Sequence, residues 1–171
     1  MDKQNYTKIN ETILKQEEML VFPHFSNKDA WDLGCFLVNK VYESNESLAV
    51  AIRKLNGTMV FYHAVGNTNQ NNQNWMNRKF NTVCLMERSS LGAWASSFLT
   101  GEKISTHGLS DSDYVLCGGG FPIRLKTGEI VAVLTVSNFP HQLDHDFIVK
   151  GLKEWLKMED VPDLDLTLSY E

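Results

Sequence analysis

Apolar residues recur at helical spacing in some stretches of the chain and alternate in others, and this order predicts the elements. Residues 6–19 are mostly helix formers with modest amphipathicity. Leu20-Val21-Phe22 reads as a short extended run that Pro23 ends. Ser26, followed three residues later by Asp29, opens a second helix with a capping-box arrangement. In that helix Ala30, Leu33, Gly34, Leu37, Val38 and Val41 form one apolar face. Gly34 inside it costs about 1 kcal/mol relative to Ala, so a close approach to a neighbouring strand is expected there.

Residues 48–55 and 58–65 flank Asn56-Gly57, a pair suited to the two positive φ angles of a type I′ hairpin turn. Helical spacing returns from about Asn72 through Met76, Phe80, Val83 and Cys84, then through Leu91, Trp94 and Phe98. Ser89-Ser90 and Gly92 divide this run into two helices. A second hairpin follows, residues 121–126 and 129–137 around Thr127-Gly128. Ile130 to Leu134 is continuously apolar, which predicts a central strand buried on both faces. Pro140 begins the last helix, with Leu143, Phe147, Ile148, Leu152, Trp155 and Leu156 as its stripe. Hairpins rather than crossovers join the strands. The expectation is an α+β fold, a central antiparallel sheet of about five strands with helices packed on it.

At 171 residues the chain suits one domain. We place it at residues 1–157, followed by an acidic tail, 158–171. After Lys157 there is no base, and Glu159, Asp160, Asp163, Asp165 and Glu171 account for the whole net charge of −5. The body is neutral, which argues against nucleic acid as a partner. The tail carries weak ordering signals and is expected to stabilise the body little unless it crosses to another subunit, although the alternation of Leu164, Leu166 and Leu168 suits an edge strand or docking on a neighbour. No long apolar run or apolar segment near the N-terminus predicts a membrane span or a secretory signal. Cys35, Cys84 and Cys117 form no CxxC pair and lie in apolar surroundings, so reduced thiols in the cytoplasm are expected. Abundant aromatics, among them Trp31, Trp75, Trp94 and Trp155, suggest surface for a homo-oligomer.

Three stretches could carry chemistry. Gly118-Gly119-Gly120, entering a strand, could offer backbone N–H groups to an anion or simply make a tight turn. Trp75, Arg78 and Lys79 share a helical face and suit a carboxylate or phosphate, or a solvated charge pair above an anchoring indole. His141 and His145 stand four apart at a helix start, where a shared metal is conceivable. Asp144 and Asp146 equally suit the helix dipole there, and no metal site is assigned. Phosphate-loop, nucleophile-elbow and His-Glu-x-x-His signatures are missing, and no nucleophile adjoins a base, so no catalytic residue is assigned.

Trp75-x-x-Arg78-Lys79, Ser89-Ser90, Gly119-Gly120-Phe121-Pro122, and Ser137-x-x-Pro140-x-x-x-Asp144-His145, in this order, resemble a bacterial and fungal branch of the haem-degrading HbpS/GlcG-like superfamily. Ala30-Trp31-x-Leu33-Gly34 fits it too. The resemblance spans about residues 12–157. It implies a PAS- or profilin-like fold, homo-oligomers, and a small-ligand-binding or sensory module with haem as one conceivable ligand. Two alternatives stay open: an oligomeric scaffold without a small-molecule site, and an enzyme acting on haem or a small organic acid. The residues it marks as ligand-binding are Trp75, Arg78, Lys79, Ser89, Ser90, Gly119, Gly120, Ser137, Asp144 and His145. Asn138-Phe139 and His141 depart from the branch pattern. From the residue chemistry, Arg78 and Lys79 are expected to meet the glycine turn and the His145 end of the last helix around a small anionic ligand. An Arg78–Asp144 ion pair is the competing outcome.

Overall fold

The computed structural model describes residues 3–168 and 170. Its elements are α1 (Lys3–Met19), α2 (Asn27–Glu43), β1 (Ala49–Lys54), β2 (Met59–Ala64), α3 (Gln70–Met86), α4 (Ser90–Thr100), a 3-10 turn (Ile104–His107), β3 (Gly120–Arg124), β4 (Ile130–Ser137) and α5 (His141–Leu156). The four strands form one antiparallel sheet in the order β2-β1-β4-β3. The apolar run in β4 therefore lies inside the sheet, as its composition requires. The sheet has four strands rather than about five. Leu20–Phe22 makes only an isolated parallel bridge, Phe22 to Leu125, because Pro23 halts the run before a ladder can form.

Alternation along the strands fills two layers. Val50, Ile52, Leu134, Val136, Phe121 and Ile123 face α2 and α5 and build the main core. Ala49, Ala51 and Val133 face α3, against Met76, Phe80 and Val83. Gly34 is explained by β2: a Cβ there would collide with the Phe61 ring. The β1–β2 hairpin forms, but its turn is not type I′, since Gly57 has φ +91° while Asn56 is not among the positive-φ residues. The register shifts between Ile52 and Arg53, where Val60 is the extra residue on β2.

α1 packs on α4 through a separate cluster of Tyr6, Ile9, Ile13, Leu91 and Trp94. The C-terminal segment completes that cluster, which corrects the expectation that it adds little. Val161 is buried in the main core, and Leu164 and Tyr170 are buried against α1 and α4. Gln16 donates to the Pro162 carbonyl at 2.8 Å. Leu166 is exposed, so the Leu alternation does not make an edge strand. Residues 169 and 171 of this segment lie outside the described residues.

A chain ending at Asp160 is expected to lose about 2–5 kcal/mol, since each buried side chain contributes roughly 1.5–3 kcal/mol before the regained chain entropy is subtracted. Chemical denaturation checks this; an unchanged midpoint would show the segment to be loosely attached.

Candidate functional site

α3 begins inside an asparagine-rich stretch, residues 67–77. Asn69 caps the helix: its side chain accepts from Asn71 N at 2.9 Å, and Asn72 Oδ1 accepts from Asn69 N at 2.8 Å. With its oxygen thus occupied, Asn72 turns its amide nitrogen to the carbonyl and hydroxyl of Ser137 and to Asn138 Oδ1, each at 3.3 Å. This ties α3 to the end of β4.

Two turns further along α3, Lys79 lies beneath the sheet end. Its ammonium donates to Asp144 Oδ2 at 2.7 Å and to the Val136 carbonyl at 2.9 Å. Both side chains are at most 3% exposed, 3% for Lys79 and 2% for Asp144. Asp144 Oδ1 also accepts from Phe139 N at 3.0 Å. Gly119, at φ +104°, passes so close that a Cβ would lie 2.5 Å from Lys79 Nζ and 2.7 Å from the Val136 oxygen. Only glycine fits both the angle and the space.

Above this pair opens a cleft of about 480 Å³ between α3, α4, the residues before β3 and the start of α5. Trp75, Trp94, Leu116 and Phe139 supply apolar walls. Asn71, Asn72, Ser137, Lys79 and Asp144 supply the polar part of its lining. An aromatic wall beside a few fixed polar groups is the usual make-up of a small-molecule site.

Burial sets the protonation states. It drives the Asp144 carboxyl up to about 6 against the pull of Lys79 and of backbone N–H groups. It raises the Cys117 thiol as well, which keeps a free, half-buried sulfur protonated and unreactive. The His141 ring is lowered by burial. Its Nδ1 accepts from Gly118 N at 3.1 Å, so Nε2 carries the proton and donates to the Tyr170 carbonyl at 2.6 Å. His145 is fully buried and pushed down to about 3 by desolvation.

The residues marked from sequence separate into groups. Trp75, Lys79, Ser137 and Asp144 line the cleft, and Gly119 lies directly against the ion pair. The ion pair is Lys79–Asp144, not Arg78–Asp144. Arg78 is not among the lining residues: it stacks on the Trp75 ring at 4.1 Å and donates to the Asp111 carbonyl at 3.2 Å. Ser90 and Gly120 bond each other behind the sheet edge, Gly120 N donating to Ser90 Oγ at 2.9 Å. Ser89 caps α4 and donates to Glu17, whose carboxyl is raised by burial. His145 faces the core, with Nε2 donating to Gln16 Oε1 at 2.9 Å and its ring on Phe121. His141 and His145 therefore do not share a metal, and no group of metal-ligating side chains occurs among the described residues. Asn71, Asn72, Trp94, Leu116 and Phe139 were not marked as ligand-binding from sequence. The Asn69-x-x-Asn72 capping pattern was the available signal for Asn72; the others reach the cleft only through packing.

The chain is an α+β domain with a walled cleft at one sheet end, and comparison gives its family. The profile described as haem-degrading protein, HbpS-like, matches residues 25–153. The chain belongs to this HbpS-like family. A UPF0303 protein of Paraburkholderia phymatum is 34% identical over 143 residues, 83% of this chain and 86% of that protein. The crystal structure of the Ybr137w protein superposes with a TM-score of 0.79 at 25% identity, covering 86% of this chain and 87% of that one. The PduOC:heme complex shares the fold, with a TM-score of 0.61 at 17% identity over 75% of this chain and 92% of that one. No helix among the described residues is long and apolar enough to cross a membrane.

Asp144 gives a pH signature. Its carboxyl is raised in the folded chain, so the folded state holds its proton longer than the unfolded state does. Its stabilising contribution is complete below about pH 4 and is lost as pH rises to about 6. His145 acts oppositely: the folded state resists protonation, so its contribution is lost as pH falls from 6.5 toward 3. Relative to Asp144→Asn, the wild type is expected to lose up to about 3 kcal/mol between pH 4 and 6 and to stay parallel above pH 7. Denaturant titrations across this range check it; parallel curves throughout would contradict the raised carboxyl.

Proposed function

We propose that this chain is a small-ligand-binding module of the HbpS-like type, with its site in the cleft lined by Trp75, Trp94, Lys79 and Asp144. One observation carries the reading: two indoles and a buried ion pair line a single opening of about 480 Å³. A pair used only for packing has no need of a cleft beside it. The marked residues Trp75, Lys79, Ser137 and Asp144 are the ligand contacts in this reading. Arg78 supports it by bracing Trp75. Ser89, Ser90, Gly120 and His145 hold the frame behind the cleft.

Haem, which the family description raises, does not fit an axial bond to these side chains. Both nitrogens of His141 are occupied, His145 faces the core, and the Cys117 thiol is held protonated. An enzyme reading lacks a nucleophile paired with a base in the cleft.

A homo-oligomer is also proposed. β2 is an edge strand, and Trp31, Tyr42, Leu55, Met59 and Tyr62 on or beside it are exposed. Light scattering at tens of micromolar is expected to give a multiple of 19.5 kDa, and a monomer mass would remove this part.

The binding reading is tested by titrating planar aromatic compounds against intrinsic tryptophan fluorescence. Trp75→Ala should weaken binding about tenfold or more, in line with the loss of one aromatic contact, while circular dichroism stays unchanged. Equal binding by the variant, or no binding by the wild type, would contradict the assignment.

A further inference from the structure

Lys79 presents three ammonium protons, and the fold uses two of them, on Asp144 and on the Val136 carbonyl. The third has no protein acceptor among the described residues, yet Lys79 lines the cleft. A buried, charged donor among the lining of an aromatic-walled opening selects an anionic acceptor. Yet Lys79 is already neutralised by Asp144, so a second carboxylate would place a net negative charge in a desolvated site. Two carboxylates sharing one cation resolve this by holding a proton between them.

We infer that the cleft takes an organic monocarboxylate with an aromatic or other apolar body, bound through the third proton of the Lys79 ammonium, and that one proton enters with it onto the Asp144–ligand carboxyl pair. This rests on the cleft being the binding site. The balance is simple: a carboxylate and a proton come from solvent, no covalent bond forms, and the site keeps zero net charge.

The surroundings of Asp144 leave it as the group able to take that proton. From α3 it faces Lys79, with Arg78 further out over Trp75. From the segment before β3 it faces Cys117, already protonated. On α5, His141 is lowered and spends its Nε2 proton on Tyr170, and His145 stays neutral in the core. β4 and its exit contribute the Val136 carbonyl, bound to Lys79, and the Phe139 N–H, bound to Asp144 itself. The walls Trp75, Trp94, Leu116 and Phe139 carry no charge and call for an apolar body.

The test uses the full chain with indole-3-acetate and its uncharged analogue, indole-3-acetamide. Calorimetry at pH 7.5 in buffers of different ionisation enthalpy should show uptake of about one proton per acetate bound and none per acetamide. Acetate affinity should fall about tenfold per pH unit above pH 6, while acetamide affinity stays flat. Asp144→Asn, which mimics the protonated acid, should make acetate binding independent of pH and at least tenfold tighter than wild type at pH 8. Acetate binding without proton uptake, or acetamide binding as tightly as acetate at pH 6, would overturn the inference while leaving the cleft as a binding site. If neither compound perturbs the tryptophan fluorescence of the wild type between pH 5 and 8, both the inference and the binding reading fail. The proton count is taken on the wild type, so it holds even if the variant folds poorly.

Discussion

An ammonium and a carboxylate, almost wholly withdrawn from water, meet 2.7 Å apart where α3, the end of β4, the glycine turn and the start of α5 come together. Each of these elements is positioned by the pair. Lys79 also holds the Val136 carbonyl, Asp144 holds the Phe139 N–H, and Gly119 is glycine because nothing larger passes the two. Burying two charges costs several kcal/mol per ion, and their attraction offsets this only with such additional hydrogen bonds. Taking away one partner leaves the other uncompensated, a loss of about 3–5 kcal/mol. A hydrophobic pair of similar volume could fill the space at no loss of stability. The pair instead lines a cleft, which a hydrophobic substitute would leave without its charged groups.

The frame behind the cleft is built to keep that geometry fixed. Asn72 joins α3 to Ser137 and Asn138, so the two ends of the cleft cannot slide apart independently. Ser90 fastens α4 to β3 through Gly120 N, and Glu17 fastens α1 to the cap of α4. His145 and Gln16 join α5 to α1, and Gln16 extends the connection to Pro162. The C-terminal segment reaches the rim: Tyr170 stacks on Trp94 and accepts from His141, both of which line the cleft. Residues far from the opening therefore bear on its shape through a few specific hydrogen bonds.

Most of the fold was legible because it rests on local rules. The Ser26–Asp29 capping box, both hairpins, the division at Ser89–Ser90 and the buried β4 run all follow from periodicity and turn chemistry. What escaped depends on partners distant in sequence. Leu20–Phe22 looked like a strand, yet Pro23 and a single parallel neighbour limit it to a bridge. The tail's acids suggested weak order, while Val161, Leu164 and Tyr170 found pockets no pattern announces. At the site, Lys79 and Asp144 meet beside Gly119, and Trp75 and Ser137 line the same cleft, but the buried cation is Lys79 and not Arg78. Adjacent residues on a helix point about 100° apart, so the choice of the buried cation depends on a rotation that sequence spacing does not settle.

The most direct measurement of this account is the titration of the Asp144 carboxyl by side-chain carbon-13 NMR, assigned with Asp144→Asn. An apparent midpoint near 6 is expected in the free chain, moving higher when indole-3-acetate saturates the cleft. A midpoint at or below the ordinary aspartate value of about 4, unmoved by the ligand, would contradict it.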